Sequence, residues 1–318
     1  MENLAIPLQQ SPEFGRTCQA MGILMQRHSM SPAPGRDITW QVQSRCFSPL
    51  GQVDLISRGP VTSCSQDRWE WLRSWRNYHG DIPLLLNALD IPADALRQSG
   101  FWPLITASYT ATLDLTTPNQ MRTAMHQKWR NRLNRSEHEK INVNHYELAD
   151  NHWLLDAERL QARTRRYRGF PPEVSLAFAA ENPGQAIIFE ARHDGDIIAA
   201  ALFLRHGKMV TWQIGHSRPA GRRLNAMNLL LWRAMVWLQE RGHTALDLGV
   251  LNSQDAAGMT HFKLGTGARI EQTSGCWLHW GVLAPFARHL PLWMAGIKKG
   301  SNVTSGEIAG EPRKMYNF

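Results

Sequence analysis

Residues 186–215 read AIIFEARHDGDIIAAALFLRHGKMVTWQIG, and their patterning decides the fold. Three apolar runs are separated by Asp194-Gly195 and His206-Gly207, dipeptides that suit tight hairpin turns. The segment therefore reads as a meander of three strands. Residues 225–242, NAMNLLLWRAMVWLQERG, follow as a helix closed by glycine, and residues 244–249, TALDLG, as a short strand. Leu229, Leu230, Leu231, Trp232, Met235, Val236, Trp237 and Leu238 make that helix apolar nearly all round, so it must be covered on most sides.

The earlier part of the chain repeats the order. Residues 39–57 give ITWQVQSRCF, then SPLG, then GQVDLIS, which reads as a hairpin. SQDRWEWLRSWRNYHG then looks helical, with Trp71, Leu72 and Trp75 on one face and Gly80 at its end, and IPLLLNAL follows as a buried strand. Hairpin, helix ending in glycine, strand: the unit occurs twice. The expectation is an α/β protein with mixed sheets, built as two related domains in tandem over residues 1–107 and 108–290, with a tail at 291–318.

The stretch between the repeats is basic. A strand at 109–115 leads to Thr117, Pro118 and Gln120, which fit Ncap, N1 and N3 of a helix as a capping box. Met121, Met125, Trp129 and Leu133 recur every four residues as a buried stripe, while Arg122, Lys128, Arg130, Arg132 and Arg135 lie mostly off it. The helix is expected over 118–138. A second basic helix is expected over 150–168, ending in Arg163, Arg165, Arg166 and Arg168 before GFPP breaks it.

A net charge of +8 and a pI near 9.6 favour an anionic partner such as RNA, a nucleotide-bearing substrate or a membrane surface. Cys18, Cys46, Cys64 and Cys276 are far apart and form no C-x-x-C, which suggests a reducing compartment, and the cytoplasm is the expected location. The first residues, MENLAIPLQQSPEFG, lack a basic region followed by an apolar run, so no signal peptide is expected. The most apolar segment is too short to span a bilayer, and the scattered histidines make a metal site an unfavoured reading. Residues 277–300, rich in tryptophan and ending in lysines, allow a peripheral membrane contact, although packing against the fold is the simpler reading.

Three stretches bear chemistry. In GHSRPAGRRLNAMN, a strand leads through Arg218, Gly221, Arg222, Arg223 and Asn225 into a helix, where free N–H groups, the helix dipole and arginines favour a phosphate. Asp247 lies in a core strand, and α/β proteins place functional groups at such strand ends. In HFKLGTGARI, residues 261–270, Lys263 precedes Gly265 and Gly267. This is no Walker A motif, because there the glycines come first, and no nucleophile elbow is present.

The meander, the G-R-R-L-N-A turn, the long helix, LDLG and FKLGTGA together resemble the acyltransferase domain of the FemAB/FemX-like branch of the GNAT superfamily. YTATLDL followed by MHQKWRNRLNRSE is similar to that family's segment between domains, and QSPEFGRTCQAMG and PLGQVDLISRGPV are similar to its N-terminal domain. The resemblance implies two tandem GNAT-like domains, the first degenerate, and transfer of an acyl group to an amine. It implies no tightly bound cofactor, with acyl-CoA or aminoacyl-tRNA as co-substrate and tRNA as a partner. Lys263 matches the lysine proposed to support catalysis in Fem-type enzymes, where a fixed ammonium would stabilise the oxyanion formed as an amine attacks an ester or thioester. Gly265 and Gly267 would let the chain turn beside the reacting carbonyl. His216, Asp247 or the substrate itself would take the proton. Arg218, Gly221, Arg222, Arg223 and Asn225 would hold the donor phosphate, and Arg58 and Arg168 the substrate. Arg223 occupies a position that is small in the family's pyrophosphate loop, which weakens an acetyl-CoA reading. The alternatives are a coenzyme A-dependent N-acetyltransferase of a small molecule or cell-envelope precursor, and a non-catalytic RNA-binding protein that retains the fold.

Overall fold

The computed structural model describes residues 4–48, 51–64, 66–89, 91–105, 107–165 and 169–289. The expected tail at 291–318 and Arg168 lie outside them. Helix α1 (Pro12–Ala20) opens the chain. Strands β1 (Leu24–Ala33), β2 (Arg36–Phe47) and β3 (Gly51–Ser57) then form an antiparallel meander, with the short β4 (Val61–Thr62) against β2. Two short helices, α2 (Asp67–Ser74) and α3 (Arg76–His79), lead to β5 (Leu84–Leu89), which runs parallel to β3. Helix α4 (Ala93–Gln98) and β6 (Phe101–Ile105) complete the first half.

The second half begins with β7 (Tyr109–Asp114), α5 (Pro118–Ala124), α6 (Gln127–His138), β8 (Ile141–Glu147), α7 (Trp153–Arg165) and α8 (Pro172–Glu181). The meander of residues 186–215 becomes β9 (Ala186–His193), β10 (Asp196–His206) and β11 (Met209–Ser217). A short α9 (Pro219–Arg223), the long α10 (Ala226–Glu240), β12 (Ala245–Leu251), α11 (Ala257–Gly265), β13 (Arg269–His279) and α12 (Ala284–Ala287) follow.

All main strands join one sheet in the order β1-β2-β3-β5-β13-β7-β12-β11-β10-β9-β8. Among the described pairings only β3 with β5 and β11 with β12 are parallel. They occupy mirrored places on either side of β13 and β7, so the repeat read from the sequence is a real architectural repeat. Parallel neighbours need a crossover, and the helix of each unit supplies it. Gly80 and Gly242 end those crossovers at φ of 58° and 79°, a region that a residue with a Cβ rarely adopts. The sequence showed only a hairpin in the first unit; β1 makes it a meander too. β13 joins the halves, pairing with β7 through residues 269–272 and with β5 and β6 through residues 273–279.

Helix α10 lies on β9–β11 and is covered in turn by α6, as its apolar circumference requires. The capping box forms as read: Thr117 and Gln120 exchange side-chain and backbone bonds. The expected single helix over 118–138 instead breaks at Met125, whose ψ of 141° is extended. The stripe survives the break, since Met121, Met125, Trp129 and Leu133 are all buried. On the opposite face, α1 leaves its own half and packs on α8, where the Arg16 guanidinium donates twice to Asn182 Oδ1 at 2.7 and 3.2 Å.

His206, the last residue of β10, is buried and bonded through Nε2 to Thr211 Oγ1 at 2.9 Å, and burial pushes its pKa from 6.5 to about 3. The folded state thus refuses a proton that the unfolded chain accepts. The stability this neutrality supports is complete above pH 6.5 and is lost as pH falls towards 3, by up to about 1.4 kcal/mol per pH unit for each such proton. Urea unfolding at pH 7, 6, 5 and 4 should show that decline, and His206→Gln should lessen its slope by about one proton; an unchanged slope would show that His206 is not its source.

Candidate active site

β11 and β12 pair at only three positions: Met209 with Ala245, Val210 with Leu246 and Thr211 with Asp247. Beyond Asp247 they separate, and each carries an irregularity where they part. On β11 the register with β10 jumps between Trp212 and Ile214, and on β12 the register with β7 skips Leu248. The result is a wedge that opens towards the C-terminal ends of both strands. Backbone groups along its two edges are released from strand–strand pairing, which suits an extended chain inserted between them. The corresponding place in the first half is closed. There β3 and β5 stay paired through Ser57 and Asn87, and the Arg58 N–H donates to Asn87 O at 2.6 Å.

Asp247 stands at the apex of the wedge and is 2% exposed. Its Oδ1 accepts the Gly249 N–H at 2.8 Å, and its Oδ2 is ion-paired with Arg58 Nη1. Arg58 is itself buried and reaches across from the first half with an unfavourable φ of 55°. Such strain costs about 1–3 kcal/mol and persists only where the surroundings enforce it. With both oxygens engaged, Asp247 is built as an anchor for the bulge and for Arg58 rather than as an open proton acceptor.

Lys263 lies in the last turns of α11, on a helix where the glycines had suggested a turn. It is half-buried, and Nζ donates to Val250 O at 2.8 Å. Gly249, at φ 78°, leaves the space beside the ammonium: a Cβ there would stand 3.7 Å from Nζ. Burial lowers the Lys263 pKa from 10.5 to about 8, and the Asp247 charge opposes that shift. Phe262 packs its ring between Trp212 and Trp129, fixing α11 over the wedge. Gly265 and Gly267 serve that packing. A Cβ at Gly265 would meet Trp129 Cδ1 at 2.7 Å, and one at Gly267 would meet Ala124 O at 2.7 Å. They receive the α5–α6 corner and are not what brings the chain close to a reacting carbonyl.

The arginine turn follows β11 directly, at the wide end of the wedge. Arg218, Arg222 and Arg223 are exposed there. The Arg218 guanidinium lies 4.8 Å from the Trp153 ring centroid, and Arg222 Nη1 donates to Ser217 O at 2.5 Å. Gly221 has a packing role: a Cβ would fall 2.2 Å from Ile198 O, so only glycine lets α9 lie on β10. Asn225 adopts φ 53° to turn the chain into α10. His216 meets Trp153 edge-on at 5.8 Å on the face covered by α7, whereas Lys263 belongs to the helix over the other face. The structure brings Lys263, Asp247 and Arg58 together and sets the arginine turn at the wedge mouth.

A cavity of 680 Å³ lies between the halves. Arg58, Arg68, Thr112, Asp114, Arg269 and Glu271 are among its lining residues. Arg269 is held by Asp114 at 2.9 Å and by Glu271 at 3.0 Å. Arg58 Nε and Thr112 Oγ1 are buried without a hydrogen-bond partner, which marks the Asp247 end of the cavity as under-satisfied. Of these residues the sequence singled out only Arg58. Arg68 comes from α2, and Thr112, Asp114, Arg269 and Glu271 come from strands that meet across more than 150 positions, so no local pattern distinguishes them.

The acetyltransferase (GNAT) domain family matches residues 109–268. The chain belongs to this family. It is an N-acyltransferase, which sets aside the non-catalytic alternative. No curated protein matches the sequence. Among solved structures, FemX is similar at 12% identity, covering 88% of this chain and 94% of its own, with a TM-score of 0.70. The C-terminal domain of a putative lysylphosphatidylglycerol synthetase from Agrobacterium fabrum is similar at 14% identity, covering 94% and 96%, with a TM-score of 0.50. These likenesses show a shared tandem GNAT fold of the FemX-like kind. Among the described residues no helix is long and apolar enough to cross a membrane.

Asp247→Asn keeps the shape and the bond to Gly249 but strands the Arg58 charge. Breaking a buried pair in this way costs about 3–5 kcal/mol. Equilibrium unfolding in urea should register that loss; a variant as stable as the parent would show that solvent screens the pair.

Proposed function

We propose that this GNAT N-acyltransferase forms an amide in the manner of the Fem-type enzymes, passing an acyl or aminoacyl group to an amine. The donor is either a coenzyme A thioester or an aminoacyl-tRNA. The observation that carries the reading is the Lys263 ammonium, half-buried beside Gly249 at the opening of the β11–β12 wedge. A donor carbonyl lying in the wedge would develop its negative charge next to that ammonium, and a fixed cation in a partly dehydrated site stabilises the charge strongly. The exposed Arg218, Arg222 and Arg223 suit the phosphates of either donor, and the basic face of α6 suits the backbone of a tRNA. The 680 Å³ cavity reaches Arg58 and Thr112 next to the wedge apex but lies at the paired end of β11 and β12, by Met209 and Ala245, so in this scheme it takes the part of the acceptor remote from the reacting amine. Asp247 positions Arg58 and the bulge, His216 lies on the opposite face of the sheet from Lys263, and the amine proton passes to the substrate itself, leaving with the thiolate or ribose oxygen that the donor releases. The protein works in the cytoplasm, where both donors are made. The fold likeness to a putative lysylphosphatidylglycerol synthetase keeps aminoacyl transfer to a lipid-borne acceptor among the options.

Thermal stabilisation by acetyl-CoA or by charged tRNA, each titrated alone, separates the donors, because only a ligand bound to the folded state raises Tm. With the donor in hand, Lys263→Ala should lower turnover by about 10²–10³ with an unchanged unfolding transition. An oxyanion role needs the protonated form, so turnover should fall as pH rises through about 8. Lys263→Arg should move that fall to higher pH. Full turnover in the alanine variant would remove the assigned role.

A further inference from the structure

A second cavity, of 530 Å³, lies in the first half at the end of the sheet where β5 begins and β13 ends. Its lining brings together Arg73, Arg76, Arg288 and His279, and Asp81 is its one carboxylate among the described residues. Arg76 is exposed but held in place. One of its N–H groups is 2.6 Å from His279 Nε2, and its guanidinium carbon stands 6.0 Å from the Trp75 ring centroid. His279 is 4% exposed and fixed edge-on to Trp75 at 4.6 Å and to Phe101 at 5.2 Å. Burial and the Arg76 charge hold its pKa down at about 4, so it stands neutral and accepts from Arg76. An arginine whose fork is set by a buried imidazole, with no carboxylate bonded to it among the described residues, is organised in advance for an incoming anion.

From this geometry we infer an anion-binding site, distinct from the acyl-transfer wedge, for a phosphate-bearing small molecule. The charge count selects the ligand class. Arg73 is paired with Glu70 at 3.2 Å, which leaves Arg76 and Arg288 against Asp81, an excess of positive charge that suits a phosphate monoester or a diphosphate. The chain shape agrees. Gly100 turns at φ 89° under Ala284, where a Cβ would stand 2.9 Å from the Ala284 Cβ and 3.3 Å from the His279 ring, so the close approach of β6 to the segment after β13 that forms the cavity wall depends on glycine. The cavity volume falls within the range of ordinary small-molecule sites, about 300–1,000 Å³. Trp75 and Leu72 add an apolar wall that could carry the organic part of such a ligand.

The probes are inorganic pyrophosphate, inorganic phosphate and acetate, added to the full chain and followed by calorimetry and by the imidazole resonances of the histidines. Pyrophosphate should bind saturably, more tightly than phosphate, with acetate silent, and should shift the His279 signal, assigned by its loss in His279→Gln. Arg76→Gln with Arg288→Gln should weaken that binding at least tenfold, while Arg132→Gln with Arg135→Gln on α6 should leave it unchanged. Pyrophosphate binding that leaves the His279 signal still, or that survives in the Arg76/Arg288 variant, would overturn the inference and assign the anion to the arginine turn at the wedge. Absence of saturable binding would overturn it as well. None of these readouts involves acyl transfer, so the outcome is independent of the proposed reaction.

Discussion

A carboxylate buried at the point where two strands part is the constraint around which this molecule is arranged. Asp247 is almost wholly removed from water, and an unpaired charge there would be untenable. It is neutralised from three directions: Arg58 from the other half, the Gly249 N–H from its own strand, and the Lys263 ammonium through space. Each partner carries a conformational consequence. Arg58 is held in a left-handed conformation, residue 249 must do without a side chain, and Lys263 must surrender part of its hydration. The charge at the apex therefore sets the bulge, the seam between the halves and the placement of the lysine together.

The two halves use the same architecture to opposite ends. In both, a meander is followed by a crossover and a parallel strand. In the second half the parallel pair opens after three residues, and in the first it remains bonded to its end, with the Arg58 N–H adding a closing bond to Asn87. The first half has thus exchanged an open wedge for a residue that serves the other half's wedge. That exchange gives physical content to its description as degenerate.

Much of this was legible in the sequence, and what was legible was local. Turn dipeptides such as Asp194-Gly195, the glycine-terminated helices, and the Thr117–Gln120 capping box depend on a few neighbouring residues, and all form as read. Lys263 was found by its motif, but its helical setting was hidden because the glycines beyond it imitate a turn. Their actual partners, Trp129 and Ala124, lie more than a hundred residues away. Gly221 misled in the same way: its neighbours made it look like a phosphate loop, whereas the Ile198 carbonyl is what requires it. The Arg58–Asp247 pair spans 189 positions, and nothing near either residue announces the other. Local chemistry can be read from a sequence, while the meeting of distant strands has to be seen.

That same packing ties the basic helices to the lysine. Trp129 of α6 lies against Gly265 and 5.8 Å from Phe262, and the His126 N–H donates to Gly265 O at 3.0 Å. The α5–α6 corner and α11 are therefore packed against each other as one unit. Lys128, Arg132 and Arg135 project from the outer face of that unit while Lys263 projects from its inner edge. A polyanion lying along α6 would touch no reacting atom, yet it would load the helix that fixes the ammonium beside the wedge. Close-packed interiors transmit such displacement instead of absorbing it. The tight fit of glycine against tryptophan is thus what ties the position of α6 to that of the helix carrying Lys263.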